Sequence, residues 1–256
     1  MKKGILPLVV GNWKMNPQSI SLGAKLATEL KKKLQSVKDV EIVIAPSYVH
    51  LSGVQKVRSG SDIFALGAQN VHPAKLGPHT GEISLPLLQD LGVSHVILGH
   101  SERRALGEKD PLINEKLVAV IKAGLTGILC VGEGHRDHSG HYLNTIETQV
   151  RKGLALLSKA KLGQVVIAYE PLWAIGSGKN ATAEDIHEMK LFIEKILSDL
   201  YGRNIAQKVR IIYGGSVTAQ NAQALHADGM MDGFLVGGAS LHPDEFTHIA
   251  KAVRTM

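Results

Sequence analysis

Eight short apolar runs, each of four to six residues, recur along the chain. Runs of this length that are apolar on both faces are typical of strands buried in a parallel sheet. We therefore predict strands at residues 8–11, 41–45, 63–68, 95–98, 126–131, 165–169, 209–213 and 233–236.

Amphipathic stretches separate these runs. In the clearest of them, Ile186, Met189 and Ile193 begin an apolar stripe at helical spacing. Thr182 can cap the start of this helix, and Gly202 can end it. The same spacing predicts helices at residues 22–34, 112–123, 146–157, 183–200 and 243–253.

Eight strands that alternate with eight connections over about 250 residues match the count of a (β/α)8 TIM barrel, an α/β fold. No linker or low-complexity segment divides the chain, so we predict a single domain over residues 1–256. A doubly wound open sheet is the alternative, but no Gly-x-Gly-x-x-Gly motif follows the first strand.

The net charge of +6 fits either a nucleic-acid partner or a small anionic substrate. Apart from residues 31–33, the basic residues are interspersed with acidic ones on helical patterns, which favours solvated helix faces. We therefore expect no nucleic-acid partner. No apolar run approaches the roughly 20 residues that a membrane helix needs, so we expect no membrane partner either.

Cys130 is the single cysteine, which excludes an internal disulfide and fits a reducing compartment. It lies within the apolar run 126–131, where a buried, inert thiol is expected. The first residues lack the apolar stretch and cleavage pattern of a secretory signal. We expect a cytoplasmic protein.

A carboxylate stands where the sixth predicted strand ends. Glu170 follows the run 165–169, and Pro171 pushes it away from helical geometry. Residues 172–179, which we call the lid segment, combine apolar side chains with two flexible glycines. An apolar, hinged loop beside a carboxylate fits a lid that keeps water from a base. A buried crossing loop with a salt-bridged glutamate is the alternative.

Chemistry in such barrels lies in the loops after the strands. Asn12 and Lys14 follow the first strand and offer an amide and a cation, although Lys14 could be an ordinary surface lysine. His100 follows the fourth strand, where Ser101 and Glu102 suggest the start of a helical turn. The positive end of a helix disfavours a charged imidazole, and a neutral imidazole can polarise a carbonyl. A structural histidine is the alternative.

Similar glycine-rich turns follow the last two strands, at residues 213–216 and 236–240. Paired glycines let backbone N–H groups approach an anion, and barrels often bind phosphate between these two loops. Two such turns in succession favour a phosphate site over plain tight turns.

Three further histidines, His135, His138 and His141, could bracket a metal ion. They lie in a polar, glycine-rich loop without the cysteine or carboxylate pattern of a metal site. We expect a solvated loop and no metal. His95, at the start of an apolar run, is expected to pack in the barrel.

Together these motifs resemble the triosephosphate isomerase family, in order and over essentially the whole chain. The stretches that carry the resemblance are residues 11–16, 97–104, 168–171, 173–179 and 213–217. The combination is specific, although each glycine pair alone is a weak signal.

The resemblance implies a cofactor-independent isomerase that interconverts D-glyceraldehyde 3-phosphate and dihydroxyacetone phosphate through an enediolate. It implies that Glu170 is the base and His100 the neutral electrophile. Lys14 and Asn12 would hold the substrate and its developing oxygens, and Glu102 would bond to that lysine. No metal or cofactor is implied.

The resemblance also implies how phosphate is held and how the protein assembles. The backbone of Gly176, Ser216, Gly237 and Gly238 would grip the phosphate. Residues 172–179 would form the closing lid, and Tyr213 with Ser216 would latch it. The long segment 69–82 would reach into a partner subunit, which makes the protein a homodimer.

Two departures from the family pattern stand out. Leu172 replaces the valine that is commonest after the proline of the lid, which is a conservative change. The segment 135–141 differs from the usual charged stretch, and we expect it to affect surface properties alone.

Two other classes are open on the residues themselves. A Schiff-base aldolase on the same barrel would need a lysine nucleophile, and the sixth strand carries none. A phosphate-binding barrel without catalysis is the second, which the combination of Glu170, His100 and Lys14 disfavours.

Overall fold

The computed structural model describes residues 5–174 and 181–253, and it contains a closed barrel of eight parallel strands in sequence order. Its register closes through β1, which pairs with both β2 and β8. The predicted (β/α)8 barrel is thereby confirmed. The strands are β1 Leu8–Asn12, β2 Glu41–Ala45, β3 Ala65–Ala68, β4 Val93–Leu98, β5 Thr126–Val131, β6 Val165–Tyr169, β7 Arg210–Tyr213 and β8 Gly233–Val236.

Helices surround the barrel and connect consecutive strands. All five predicted helices occur within a few residues of their expected bounds. Short 3-10 helices cover Lys159–Gln164, Leu172–Ala174 and Gly238–Leu241. The α-helices are α1 Ile20–Leu34, α2 Tyr48–Arg58, α3 Leu85–Asp90, α4 Ser101–Ala105, α5 Asp110–Lys122, α6 Tyr142–Gly153, α7 Ala183–Tyr201, α8 Arg203–Ala206, α9 Ala222–Ala227 and α10 Pro243–Ala252.

The predicted starts of β3, β4, α1 and α5 are wrong by two residues, and both ends of α6 are wrong by four. β3 begins at Ala65 rather than at residue 63, and the carbonyl of Phe64 instead accepts a hydrogen bond from the Arg58 side chain. α6 ends at Gly153 rather than at residue 157. There the side-chain amide of Asn114 donates hydrogen bonds to the carbonyls of Gly153 and Ala155, which replace the helical hydrogen bonds of these carbonyls.

Five α-helices, α2, α3, α4, α8 and α9, lie outside the predicted helical ranges, although a helical turn was expected to start at Ser101 and Glu102, where α4 begins. α3, α8 and α9 have six residues or fewer, which is too short for a periodic apolar stripe to show. In α2 the buried face includes His50, so the polar residue interrupts the apolar pattern.

α7 has the predicted ends. Thr182 and Asp185 form a reciprocal capping box at its start, and Gly202 ends it with a φ of 90°. Because this helix follows the lid segment, its fixed start anchors the point where that segment rejoins the barrel.

The core has two layers, which alternate along each strand because successive side chains point to opposite faces. Val9 and Ile44 pack outward against the helices, whereas Val10 and Val43 fill the barrel interior. Cys130 also lies inside the barrel and is fully buried, as predicted. Burial and the nearby negative charge of Glu170 raise the pKa of this thiol, so it is unreactive.

One glycine is required for the barrel to close. At Gly233 the φ is +140°, and a Cβ would lie 1.9 Å from the carbonyl oxygen of Leu8 on the neighbouring strand. Any side chain at Gly233 would therefore push β8 and β1 apart.

A charged group of three residues closes the end of the barrel opposite to the strand C-termini. His95 Nε2 lies 3.0 Å from Glu41 Oε1, and Arg210 pairs with the other oxygen of the same carboxylate. The bonds to His95 and Arg210 lower the pKa of Glu41 from 4.5 to about 2. His95 is buried, as expected.

Glu41→Gln should lower the free energy of unfolding by about 1–2 kcal/mol at neutral pH, because it removes the charge that pairs with His95 and Arg210. The loss is no larger because Glu41 is one-third exposed and solvent screens the pairing. A lowered folded-state pKa stabilises the fold above pH 4.5, and this stabilisation is lost as the pH falls toward about 2. Urea unfolding of wild type and variant at pH 6, 4 and 3 and fixed protein concentration should show the difference shrinking. A difference that stays constant with pH would contradict this role for Glu41.

Within the described residues, no helix is both long enough and apolar enough to cross a membrane.

Candidate active site

The strand ends surround a cavity of about 400 Å³. Asn12, Lys14 and His100 supply polar side chains to its lining, and the glycine-rich turns after β7 and β8 line it as well. The remaining lining residues are Ser101, Gly214–Thr218, Leu235, Gly237–Ala239, His242 and Glu245.

The loop after β1 holds Lys14 in a fixed, strained conformation. Lys14 has a φ of 54°, which is unusual for a residue with a side chain. Its backbone N–H donates to Asn12 Oδ1 at 3.1 Å, and its carbonyl accepts from Gln69 at 2.9 Å. Its Nζ lies 2.6 Å from Glu102 Oε1. The ammonium group is thereby held at the cavity wall.

His100 lies at the end of β4 and caps the short helix α4. Its Nδ1 accepts the backbone N–H of Glu102 at 3.2 Å, and its ring is buried. Since the Nδ1 lone pair is occupied, the neutral ring carries its proton on Nε2. Nε2 lies 3.2 Å from Glu170 Oε1, and the role of His100 as a neutral electrophile stays a prediction.

Glu170 follows β6 and is 1% exposed. Its Oε2 accepts the backbone N–H of Ser101 at 2.9 Å, and its Oε1 lies 3.2 Å from His100 Nε2. The carboxylate therefore belongs to the same site as the imidazole, although 69 residues separate it from Ser101 in the chain.

Two glycines make room for Glu170. A Cβ on Gly132 would lie 1.8 Å from the Glu170 carbonyl oxygen, and one on Gly214 would lie 2.9 Å from its Cγ. The sequence motifs do not mark Gly132 or the Ser101 N–H as part of the site, and they mark Gly214 only as part of a phosphate-binding turn. Gly214 belongs to a recognised glycine pair, but Gly132 has no comparable local signal.

The two glycine-rich turns face the cavity from β7 and β8, as expected for an anion site. Gly237 begins the 3-10 helix Gly238–Leu241, and Ser216 lies across from it in the turn after β7. Tyr213 is buried, and burial raises its pKa to about 12. Gly176 and the lid segment beyond Ala174 lie outside the described residues.

A hydrogen-bond cluster centred on Glu133 joins the loops after β5 and β6. Glu133 Oε1 accepts from Tyr169 at 2.8 Å, from Trp173 at 2.8 Å and from Arg136 at 3.1 Å. The Leu172 N–H donates to the Glu133 carbonyl at 3.0 Å. These contacts fix the chain on both sides of Glu170.

Arg136 connects this cluster to α7. Its guanidinium pairs with Asp185 at 3.0 Å and lies over the ring of Trp173, 5.2 Å from the centroid. The expectation that residues 135–141 affect surface properties alone is therefore wrong, since Arg136 braces the start of the lid segment and of α7.

The histidines of this same loop do not form a metal site. Within residues 5–174 and 181–253, no group of three or more His, Cys, Asp or Glu side chains is placed to hold a metal ion. His141 instead lies 3.4 Å from Asp137 and is exposed.

Comparison with known proteins points to one family. A family model described as triosephosphate isomerase matches residues 7–253. The chain is 47% identical to triosephosphate isomerase of Carboxydothermus hydrogenoformans over 96% of its own length and 98% of that protein. It is 45% identical to the protein of the same name from Syntrophotalea carbinolica, over 96% of this chain and 97% of that one. The identity to triosephosphate isomerase of Treponema pallidum (strain Nichols) is 44%, over 96% of this chain and 98% of that one.

Proposed function

Since this chain belongs to the triosephosphate isomerase family, we infer that its cavity binds a phosphorylated triose with the reacting carbons next to Glu170 and His100. The protein is an isomerase that interconverts D-glyceraldehyde 3-phosphate and dihydroxyacetone phosphate. The observation that carries the residue assignment is the 3.2 Å approach of the buried Glu170 carboxylate to the protonated nitrogen of His100.

Glu170 acts as the base in this proposal. It removes a proton from the carbon next to the carbonyl and returns that proton to the neighbouring carbon. The Ser101 N–H holds one carboxylate oxygen in place, so the other is left to meet the substrate. Because Glu170 is buried and the chain is fixed on either side of it, the carboxylate keeps its orientation during proton transfer.

His100 and Lys14 stabilise the enediolate that forms between the two proton transfers. The neutral imidazole donates from Nε2 to the carbonyl oxygen, where negative charge develops. Lys14 adds a fixed positive charge, and Asn12 holds the Lys14 backbone. Glu102 keeps the ammonium group at the cavity wall without entering the chemistry.

The phosphate is bound at the wall formed by the turns after β7 and β8, which Lys14 borders. Ser216, Gly237 and Gly238 line that wall. Apart from the short Ser216 hydroxymethyl group, they have no side chain that would keep an anion away from their backbone N–H groups. We include Gly176 in this phosphate grip on the resemblance to the family.

The Lys14 environment favours isomerisation over Schiff-base chemistry. A Schiff base needs a free amine that can attack a carbonyl, whereas Lys14 Nζ is held 2.6 Å from Glu102 Oε1. An assay that couples dihydroxyacetone phosphate formation to a reporter dehydrogenase tests the proposal. Turnover without inactivation by borohydride supports it, and trapping of the substrate on a lysine would contradict it.

We also propose that the protein works as a homodimer in the cytoplasm, in glycolysis and gluconeogenesis. Exposed apolar side chains occur in the segments that follow β1, β2 and β3: Met15 is 94% exposed, Val49 in the first turn of α2 68% and Leu76 75%. A second copy would cover them, with the segment 69–82 placed beside the partner's Lys14 loop. Gln69 already links this segment to that loop within one chain.

Leu76→Glu should convert the dimer into a monomer with reduced turnover, because the charge would be buried at the interface. Sedimentation velocity and the coupled assay at matched concentrations measure both effects. Leu191→Glu is the control, since Leu191 is also exposed but lies on the outer face of α7. A wild type that sediments as a fully active monomer would contradict the proposal.

A further inference from the structure

A carboxylate lines the same cavity without belonging to the catalytic group. Glu245 lies in the first turn of α10, which begins directly after the turn that forms the phosphate wall. His242, at the N-terminus of the same helix, also lines the cavity. Glu245 is half-buried, and its side chain forms no hydrogen bond or ion pair with any part of the chain that the structure describes.

Its neighbour Asp244 has the same charge but a different environment. Asp244 is exposed and pairs with Lys33 of α1 at 2.5 Å, away from the cavity. Of these two adjacent carboxylates, Glu245 therefore faces the cavity, whereas Asp244 does not.

A negative charge here opposes the binding of any anion. The other charged or donating groups of the cavity, Lys14, His100 and the backbone of the glycine turns, all favour one. Lys14 also borders this wall, because a Cβ on Gly237 would lie 3.4 Å from its Cε. A second phosphoryl group on a ligand would bring further negative charge into the cavity that Glu245 lines. Repulsion by Glu245 would then grow with the charge of the ligand.

We propose that Glu245 is a specificity-determining residue, which restricts the phosphate wall to a single terminal phosphate and rejects ligands that carry a second phosphoryl group. This inference rests on the proposed function of the cavity. It explains why a carboxylate without a partner lines a site that is otherwise suited to an anion.

The test uses inorganic phosphate and pyrophosphate as competitive inhibitors of isomerisation by the full chain. Glu245→Gln should lower the inhibition constant of phosphate by about fourfold and that of pyrophosphate by more than tenfold, because the effect scales with ligand charge. Asp244→Asn is the matched control and should change both constants less than twofold, since its charge faces Lys33.

Two results would overturn the inference while leaving the isomerase assignment intact. One is an unchanged pyrophosphate constant in Glu245→Gln, and the other is an equal change in both variants, which would show a general field effect. A wild type that isomerises no triose phosphate, or that phosphate does not inhibit competitively, would instead refute the proposed function itself. Circular dichroism of both variants establishes that they are folded.

Discussion

Glu170→Gln should lower kcat by about 10³- to 10⁴-fold, with a much smaller change in KM. The amide has nearly the shape of the carboxylate and can still accept the Ser101 N–H, so binding and packing are preserved. It cannot take a proton from carbon at neutral pH. The loss therefore falls on the proton transfer itself.

The measurement is steady-state kinetics in both directions of isomerisation. Glu133→Gln is a useful comparison, because Glu133 is equally buried and lies in the adjacent hydrogen-bond cluster without facing the cavity. It should lower activity far less than Glu170→Gln. Turnover of Glu170→Gln within tenfold of wild type would remove Glu170 from its assigned role.

Lys14→Met should lower kcat/KM by about 10³-fold, with both a higher KM and a lower kcat. The methionine side chain has a similar length but no charge. It would forfeit the attraction to the substrate phosphate and to the enediolate oxygen. The strained backbone at Lys14 should persist, because Asn12 and Gln69 hold it through main-chain atoms.

Glu102→Gln separates the charge of Lys14 from its position. This change keeps the ammonium group but weakens the contact that holds it at 2.6 Å. We expect kcat/KM to fall by about tenfold, well short of the loss in Lys14→Met.

For Lys14→Met, the contradicting outcome concerns anion binding. If inhibition by inorganic phosphate is unchanged in that variant, the lysine does not contribute to anion binding.

The barrel could be predicted from the sequence because each strand is buried on both faces and appears as a continuous apolar run. The candidate residues followed from one rule, that loops after the strands carry the chemistry. Glu170, His100 and Lys14 each stand directly after such a run, so their convergence follows from the closure of the barrel.

Contacts that depend on the meeting of distant loops could not be predicted in this way. The Ser101 N–H reaches Glu170 from another strand end, and its donor is a main-chain atom that no side-chain pattern marks. Arg136 looked like a solvated loop residue, since its partners on α7, Asp185 and Glu188, lie 49 and 52 residues away in the chain. The space that Gly132 leaves for Glu170 likewise exists only once β5 and β6 are paired.

The Glu133 cluster gives the protein a built-in optical reporter. The chain has two tryptophans: Trp13 is fully buried in the core, whereas Trp173 is partly exposed, bonded to Glu133 and covered by Arg136. Indole emission shifts when its hydrogen bonds and its contact with a cation change. In a Trp13→Phe background, fluorescence should therefore follow events at the start of the lid segment when phosphate binds, without any attached dye.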